Sequence, residues 1–314
     1  MLGAPDEEYL DIAATTRADL DMLAPSVPEE VRRAVAENDP GLDDDLEVWF
    51  AESSRLPRLT LLGPVGARTR GVPVTKRKPY YTELLTYLAT RPHGATPEEV
   101  AAAFDITATK ARGYVATVRD WLGTNPRTGR PHIPDARHSP AAEHRGVGVY
   151  EVQDLLVDAD LFRRLRLRGE TRGPDGIQDM KRALTLVTGP PFCKLRPGGW
   201  TWLVEGDRLD QHMLCAVVDV AHIVTTHLLH TGDLSAARAT AELAALAAPD
   251  EEIPRLDLAA VAMASGHRST ATDIIRGEIC NRADDAGPPD ELSARTQAIL
   301  DRHGWLSDPR QAAS

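Results

Sequence analysis

Apolar positions fall at helical spacing over most of this chain, and the exceptions are short and early. From Tyr80 to Ala89 the residues Tyr80, Leu84, Leu85, Tyr87 and Leu88 recur at helical intervals, and Arg91-Pro92-His93-Gly94 stops the run. Thr96-Pro97-Glu98-Glu99 marks the next start, with Thr96 as N-cap, Pro97 at the first helical position and Glu99 three residues after the cap to close a capping box. That helix is short, Glu98 to Phe104. Asp105-Ile106-Thr107 then turns the chain into a third helix, Ala108 to Leu122, closed by Gly123.

On the third helix Ala111, Val115, Val118 and Leu122 form one stripe that should face a core. The opposite arc carries Thr109, Gly113, Ala116 and Asp120, flanked by Arg112 and Arg119 on one side and by Lys110 and Thr117 on the other. Before the helices, Leu59, Leu61 and Val65, then Val72 and Val74, flank Gly-rich turns as in a small antiparallel sheet, and Leu46, Val48 and Phe50 alternate as a short strand does. After them, residues 124–145 are rich in Pro, Arg and His and read as a long loop, and GVGVYEV reads as a strand. Three short helices with strands on either side predict a winged helix-turn-helix over 58–152.

From Asp158 onward the pattern is almost wholly helical and rich in Ala and Leu. HLLHTGDLSAARATAELAALA predicts a helix, a Gly232-Asp233 turn and a second helix with small residues at Ala237 and Ala241. AMASGHRSTATDIIRGEIC repeats the plan around Gly266, which lies 34 residues after Gly232, the period of a tetratricopeptide repeat. Residues 161–187 fit an earlier, more divergent pair, and TGPPFCKLRPGGWTW separates it from the rest. The fold class is therefore mainly α: a winged helix followed by a tetratricopeptide-like helical array over 153–310.

Composition narrows the function. The 314 residues, 42% hydrophobic and 26% charged, exclude disorder as the main state. No apolar stretch approaches the roughly 18 to 20 residues that a membrane span needs, the N-terminus lacks a secretory pattern, and the chain is expected in the cytoplasm. Three cysteines, Cys193, Cys215 and Cys280, have no C-x-x-C spacing and read as ordinary apolar residues. The net charge of -11 is unevenly spread: residues 1–57, an acidic lead-in read as partly ordered, hold 4 basic against 15 acidic residues, whereas 58–152 hold 14 against 8. A basic domain between acidic ones raises the question of nucleic acid, because phosphate affinity follows the local field.

LTLLGPVGARTRGVPV before a helix-turn-helix, then DADLFRRL, then helices around MKRALTLVTGPPF, resembles the SARP-like regulators, the antibiotic regulatory proteins of actinomycetes. In that family an OmpR-type winged helix precedes a bacterial transcriptional activator domain of tetratricopeptide-like helices. The resemblance covers about residues 58–285. VATVRDWLGTNPRTGRPHIPDA, LTLVTGPPF and AVVDVAHIVTTHLLHTGD are similar to a subgroup in which this module ends larger proteins, some carrying LysM segments.

The resemblance implies double-stranded DNA as partner, read by the third helix, and transcription activation or oligomerisation through the array; a homodimer is expected, with 153–310 mediating assembly or contact with RNA polymerase or another protein. It places Arg119 at a position usually basic and engaged with DNA, whereas Thr117 and Asp120 stand where the family is usually basic. Taken with the residue pattern, the expected contacts are Lys76, Arg77, Lys78, Arg112 and Arg119 on phosphates, with Thr117 on the flank of the same face. Thr109 and Lys110 are expected to reach base edges, and His144 and Arg145 on the wing to approach the minor groove. Lys76 to Lys78 also fit a solvated turn, and a surface helix of mixed charge is the plain alternative for 108–122.

His212, Cys215, Asp219, His222, His227 and His230 are scattered by helical geometry, so no metal is expected. Gly198-Gly199-Trp200-Thr201-Trp202 fits a ligand platform or, preferably, an apolar plug at the end of the helical array. No P-loop, dinucleotide, nucleophile-elbow or H-E-x-x-H motif occurs, so neither an enzyme nor a cofactor is expected. The rival reading is a protein-interaction module in which the winged helix is degenerate and the array binds a partner.

Overall fold

The structure is a computed structural model that describes residues 39–279 and 296–299. Most of the lead-in, Cys280 and most of the last 35 residues therefore lie outside the described residues. The described chain divides into two compact units, one of residues 39–165 and 185–214, the other of 166–184, 215–279 and 296–299. Two of the three divisions among the described residues, 165/166 and 214/215, fall inside continuous helices.

The first unit begins with α1, Leu42–Phe50. This corrects the strand expected from Leu46, Val48 and Phe50. Leu42 and Leu46, four apart, are fully buried while Phe50 is exposed, and Asp43, Asp44 and Asp45 occupy the first turn where the helix dipole favours negative charge. Strand β1, Arg58–Thr60, pairs antiparallel with β2, Gly66–Arg68, and parallel with β3, Leu156–Val157, in the order β2-β1-β3. Val72 and Val74 add no strand, and Val72 is 67% exposed.

Helices α2, Lys78–Ala89, α3, Pro97–Ala103, and α4, Ala108–Leu122, follow as the apolar pattern predicts. The capping box is formed: the Glu99 amide donates to Thr96 Oγ1 at 3.1 Å and the Thr96 amide to Glu99 Oε2 at 2.7 Å. Ala111, Val115, Val118 and Leu122 are all completely buried. The region after α4 differs from expectation. Residues 140–145 form a short helix, α5, Pro140–Arg145, and GVGVYEV forms no strand. Its one β-bridge among the described residues joins Tyr150 to Ala95 through reciprocal bonds at 2.7 and 3.0 Å, and the Val149 amide donates to Ala136 O at 2.8 Å. The ladder with β1 is taken six residues later by Leu156 and Val157.

The 188–202 insertion belongs to this unit. Thr188 and Phe192 donate their amides to Leu62 O and Leu61 O, each at 2.7 Å. The Trp200 amide donates to Glu83 Oε1 at 2.6 Å, and the Trp202 ring meets Tyr87 edge-on at 5.2 Å. Both tryptophans are buried, so the segment is an apolar plug as preferred, but it seals α2 of the winged helix and not the end of the array.

The second unit contains the later part of α6, Asp158–Arg172, then α7, Ile177–Leu184, the later part of α8, Leu209–Thr231, then α9, Leu234–Ala247, α10, Glu252–Ala264, and α11, Arg268–Ile274. Gly232 and Gly266 turn the chain at φ of +79° and +81°, the left-handed region that glycine enters without strain. Ala237, Ala241, Ala244 and Ala247 are fully buried, a stripe of small residues that lets α9 approach its neighbours closely. Buried polar pairs tie the helices: Arg168 to Asp179 at 2.7 and 3.0 Å, and His222 Nδ1 to Asp257 Oδ1 at 2.7 Å. By length and composition α8, with 23 residues, is apolar enough to cross a membrane, contrary to the expectation from sequence, although 67% of its most apolar stretch is buried in the protein.

Asp158 opens α6 and is 1% exposed. Its carboxylate accepts the Leu61 amide at 2.7 and 2.9 Å, the Leu62 amide at 3.0 Å and the Ala159 amide at 2.8 Å. Burial outweighs these donors and raises the carboxyl to about 7. Because that lies above the ordinary value of 3.8, Asp158's share of stability is complete below about pH 4 and is lost as the pH rises through 7. Asp158→Ala strands three buried amides and should cost about 3 kcal/mol or more in urea unfolding. The same variant should flatten the fall in stability between pH 4 and 7.

Candidate nucleic-acid interface

Helices α3 and α4, joined by the 104–107 turn, form the helix-turn-helix. Asp105 takes a left-handed φ of 49° in the turn, and Thr107 caps α4 by accepting the Lys110 amide at 3.3 Å. At the other end the last carbonyls of α4 are taken up by a preceding loop. The Gly71 amide donates to Trp121 O at 3.0 Å and the Val72 amide to Asp120 O at 2.8 Å. A Cβ at Gly71 would stand 1.9 Å from Asp120 O, so this close approach requires glycine. Both ends of α4 are therefore fixed.

Its outer face is open. Thr109, Lys110, Arg112, Gly113 and Asp120 are exposed, whereas Ala116 and Thr117 are half-buried and Thr117 Oγ1 is turned back to Gly113 O at 3.2 Å. Arg112 meets Glu98 at 3.6 Å across exposed surface. Lys76, Arg77 and Lys78 are all exposed at the start of α2. Arg77 bridges toward α4: its guanidinium lies 4.7 Å from the Tyr80 ring centre and 5.4 Å from that of Tyr114, and it donates to Tyr114 Oη at 3.2 Å. That bond raises the Arg77 pKa further. The structure thus brings Arg77 together with the N-terminal half of α4 through Tyr114, a residue the sequence reading did not single out. The signal available was the RKPYY run, which places a cation three residues before a ring.

Two expected contacts serve the scaffold. Arg119 donates from Nε to Ile133 O at 2.7 Å and from Nη2 to Pro134 O at 3.1 Å, fastening the following loop to α4. Arg145 and His144 lie in the last turn of α5, not on a strand of a wing. Arg145 makes a two-pronged pair with Glu99, Nη2 to Oε1 at 2.7 Å and Nη1 to Oε2 at 3.1 Å, and also reaches Gly94 O at 3.1 Å. His144 is exposed and stacks on His93 at 5.9 Å.

No family model matches this sequence, and no curated protein matches it. In structure the chain is similar to Mycobacterium tuberculosis EmbR, solved in complex with a low-affinity phosphopeptide, with a TM-score of 0.52 and 20% identity. The likeness covers 78% of this chain and 65% of that one, so this chain spans about two thirds of the EmbR chain's length. It supports a SARP-like fold, a winged helix followed by a helical array.

Glu99 joins the capping box to the Arg145 pair, and the Arg145 bond in the first place holds its carboxyl near 2, below the ordinary 4.5. A depressed carboxylate contributes stability above about pH 4.5 that disappears as the pH falls toward 2. Glu99→Gln should lower the melting temperature at pH 7 by roughly 2–4 °C. The two proteins should converge near pH 2 in a calorimetric pH series.

Proposed function

We propose that this chain is a DNA-binding transcriptional regulator whose winged helix, residues 58–152, places α4 in the major groove, while 153–310 mediates assembly as a homodimer or contact with RNA polymerase. One observation carries the reading: α4 is capped at both ends and presents small and basic residues on an open face. Lys76, Arg77, Lys78 and Arg112 hold phosphates, and Thr109 and Lys110 face base edges. Thr117 lines the same face at closer range. Arg119 and Arg145 position the loop and α3 behind it, and His144 remains free to approach the backbone. The structural likeness to EmbR and the family resemblance of the sequence favour this assignment, which carries a cytoplasmic location with it. A protein-interaction role draws support from the exposed Asp120 and from the Arg112–Glu98 pair on the same face.

Retardation of genomic DNA fragments by the full chain, titrated with salt, separates the two. Regulator function predicts binding that falls steeply from 50 to 200 mM salt. A Lys110→Ala/Arg112→Ala double variant should weaken it about tenfold or more and make the salt dependence shallower. Absence of retention at low salt, together with a defined protein partner recovered by the array, would establish the interaction module instead.

A further inference from the structure

Beside the sheet, and entirely within the first unit, lies a cleft of about 680 Å³, within the range of small-molecule sites. Five cations line it: Arg58 and Arg68 from the strands, Lys78 from α2, and Lys194 and Arg196 from the insertion. No acidic residue is among its lining residues. Arg196 is neutralised from behind by the buried Glu83, but Arg68, Lys78 and Lys194 have no ion-pair partner among the described residues. Burial, then the like charges of Arg68 and Arg70, depress the Arg58 pKa, the mark of a positive field without a counter-ion.

Two lining residues also carry an unanswered donor. Arg58 Nε and Trp200 Nε1 are buried and have no acceptor among the described residues. The hydroxyls of Thr60 and Thr82 are occupied with backbone carbonyls. The wall thus offers several cations and no acidic residue, which suits a ligand made of acceptors carrying several negative charges. Trp49, half-buried, adds an aromatic surface to the same wall.

We propose that this cleft binds a nucleoside polyphosphate, its phosphates among Arg68, Lys78 and Lys194 and its base against Trp49. An inorganic anion would leave the ring unused, and a flat uncharged ligand would leave the cations unpaired. Lys78 is shared with the phosphate contacts proposed for DNA, but the rest of the lining is separate from the outer face of α4, so the proposal does not require DNA binding there.

Calorimetric titration of the full chain with ATP, and separately with inorganic tripolyphosphate, tests it. ATP should saturate one site, with tripolyphosphate at least tenfold weaker. Arg68→Ala/Lys194→Ala should lose at least tenfold in ATP affinity with an unchanged circular dichroism spectrum and melting temperature. Trp49→Leu should weaken ATP while leaving tripolyphosphate as it was. No saturable ATP binding, equal affinity for the two probes, or full affinity in the double variant would overturn the assignment. Displacement of ATP by duplex DNA, with the double variant losing duplex affinity in parallel, would also overturn it by making the cleft a backbone contact.

Discussion

The winged-helix unit depends on how residues 61–63 leave the sheet. Past Thr60 the strand pairing ends, yet Leu61 and Leu62 are fully buried, so every amide and carbonyl there needs a partner other than water. Asp158 takes the two amides, and the insertion takes the two carbonyls through Phe192 and Thr188. A Cβ on Gly63 would meet Thr188 Oγ1 at 2.1 Å, so the insertion reaches this close only because that residue is glycine. One carboxylate thus fixes the end of β1 and the start of α6 together, at the cost of burying a titratable group. Replacing the segment by a longer β-ladder would satisfy the same backbone atoms, but it would displace the insertion that delivers Lys194, Arg196 and Trp200 to their side of the sheet.

Rigidity of the helix-turn-helix has a separate origin. Its short helices cannot be stable by propensity alone, and side-chain acceptors at their starts and backbone donors at the end of α4 hold them. Thr96 and Glu99 start α3, Thr107 starts α4, and the 71–72 loop closes α4. Arg119 and Arg145 then bind carbonyls and Glu99 with their guanidinium groups, behind the open face. Basic residues near a recognition-type helix therefore divide into two kinds here. Arg119 and Arg145, bonded into the scaffold, define geometry, and the exposed Lys76, Arg77, Lys78, Lys110 and Arg112 define the field that an approaching partner meets.

Local signals were legible in the sequence and distant ones were not. The limits of α4 and its buried stripe could be read because the 105–107 turn, the closing Gly123 and the apolar period are all local to one short segment. The two helical turns at Gly232 and Gly266 were readable for the same reason. For α1 the alternation of Leu46, Val48 and Phe50 competed with the Leu42/Leu46 pair, and burial on one side decided for a helix. GVGVYEV has the composition of a strand, but among the described residues its one β-bridge is that of Tyr150 with Ala95, a fact about tertiary placement. The cations of the cleft come from positions 58, 68, 78, 194 and 196, which no periodicity links. The Trp200 and Trp202 plug was recognisable as apolar bulk, whereas the surface it fills depends on Glu83 and Tyr87, more than a hundred residues away.

The acidic residues on and around α4 bear on how a duplex would dock under the proposed reading, and their positions matter more than their number. Arg112 and Glu98 are both more than half exposed and 3.6 Å apart, a pair of the kind that contributes little in water. A phosphate offers Arg112 a stronger partner, so the pair is no barrier to contact. Asp120 is different, because it stands in the last turn of α4, where its own carbonyl is held by Val72 and no basic side chain pairs with it among the described residues. Repulsion at that end favours an approach through the first half of the helix, where Thr109, Lys110, Arg112 and Gly113 are open and Arg77 lies against Tyr114. Helix-turn-helix proteins read bases with the N-terminal residues of the second helix, so the acidic end sets an angle of entry without closing the face.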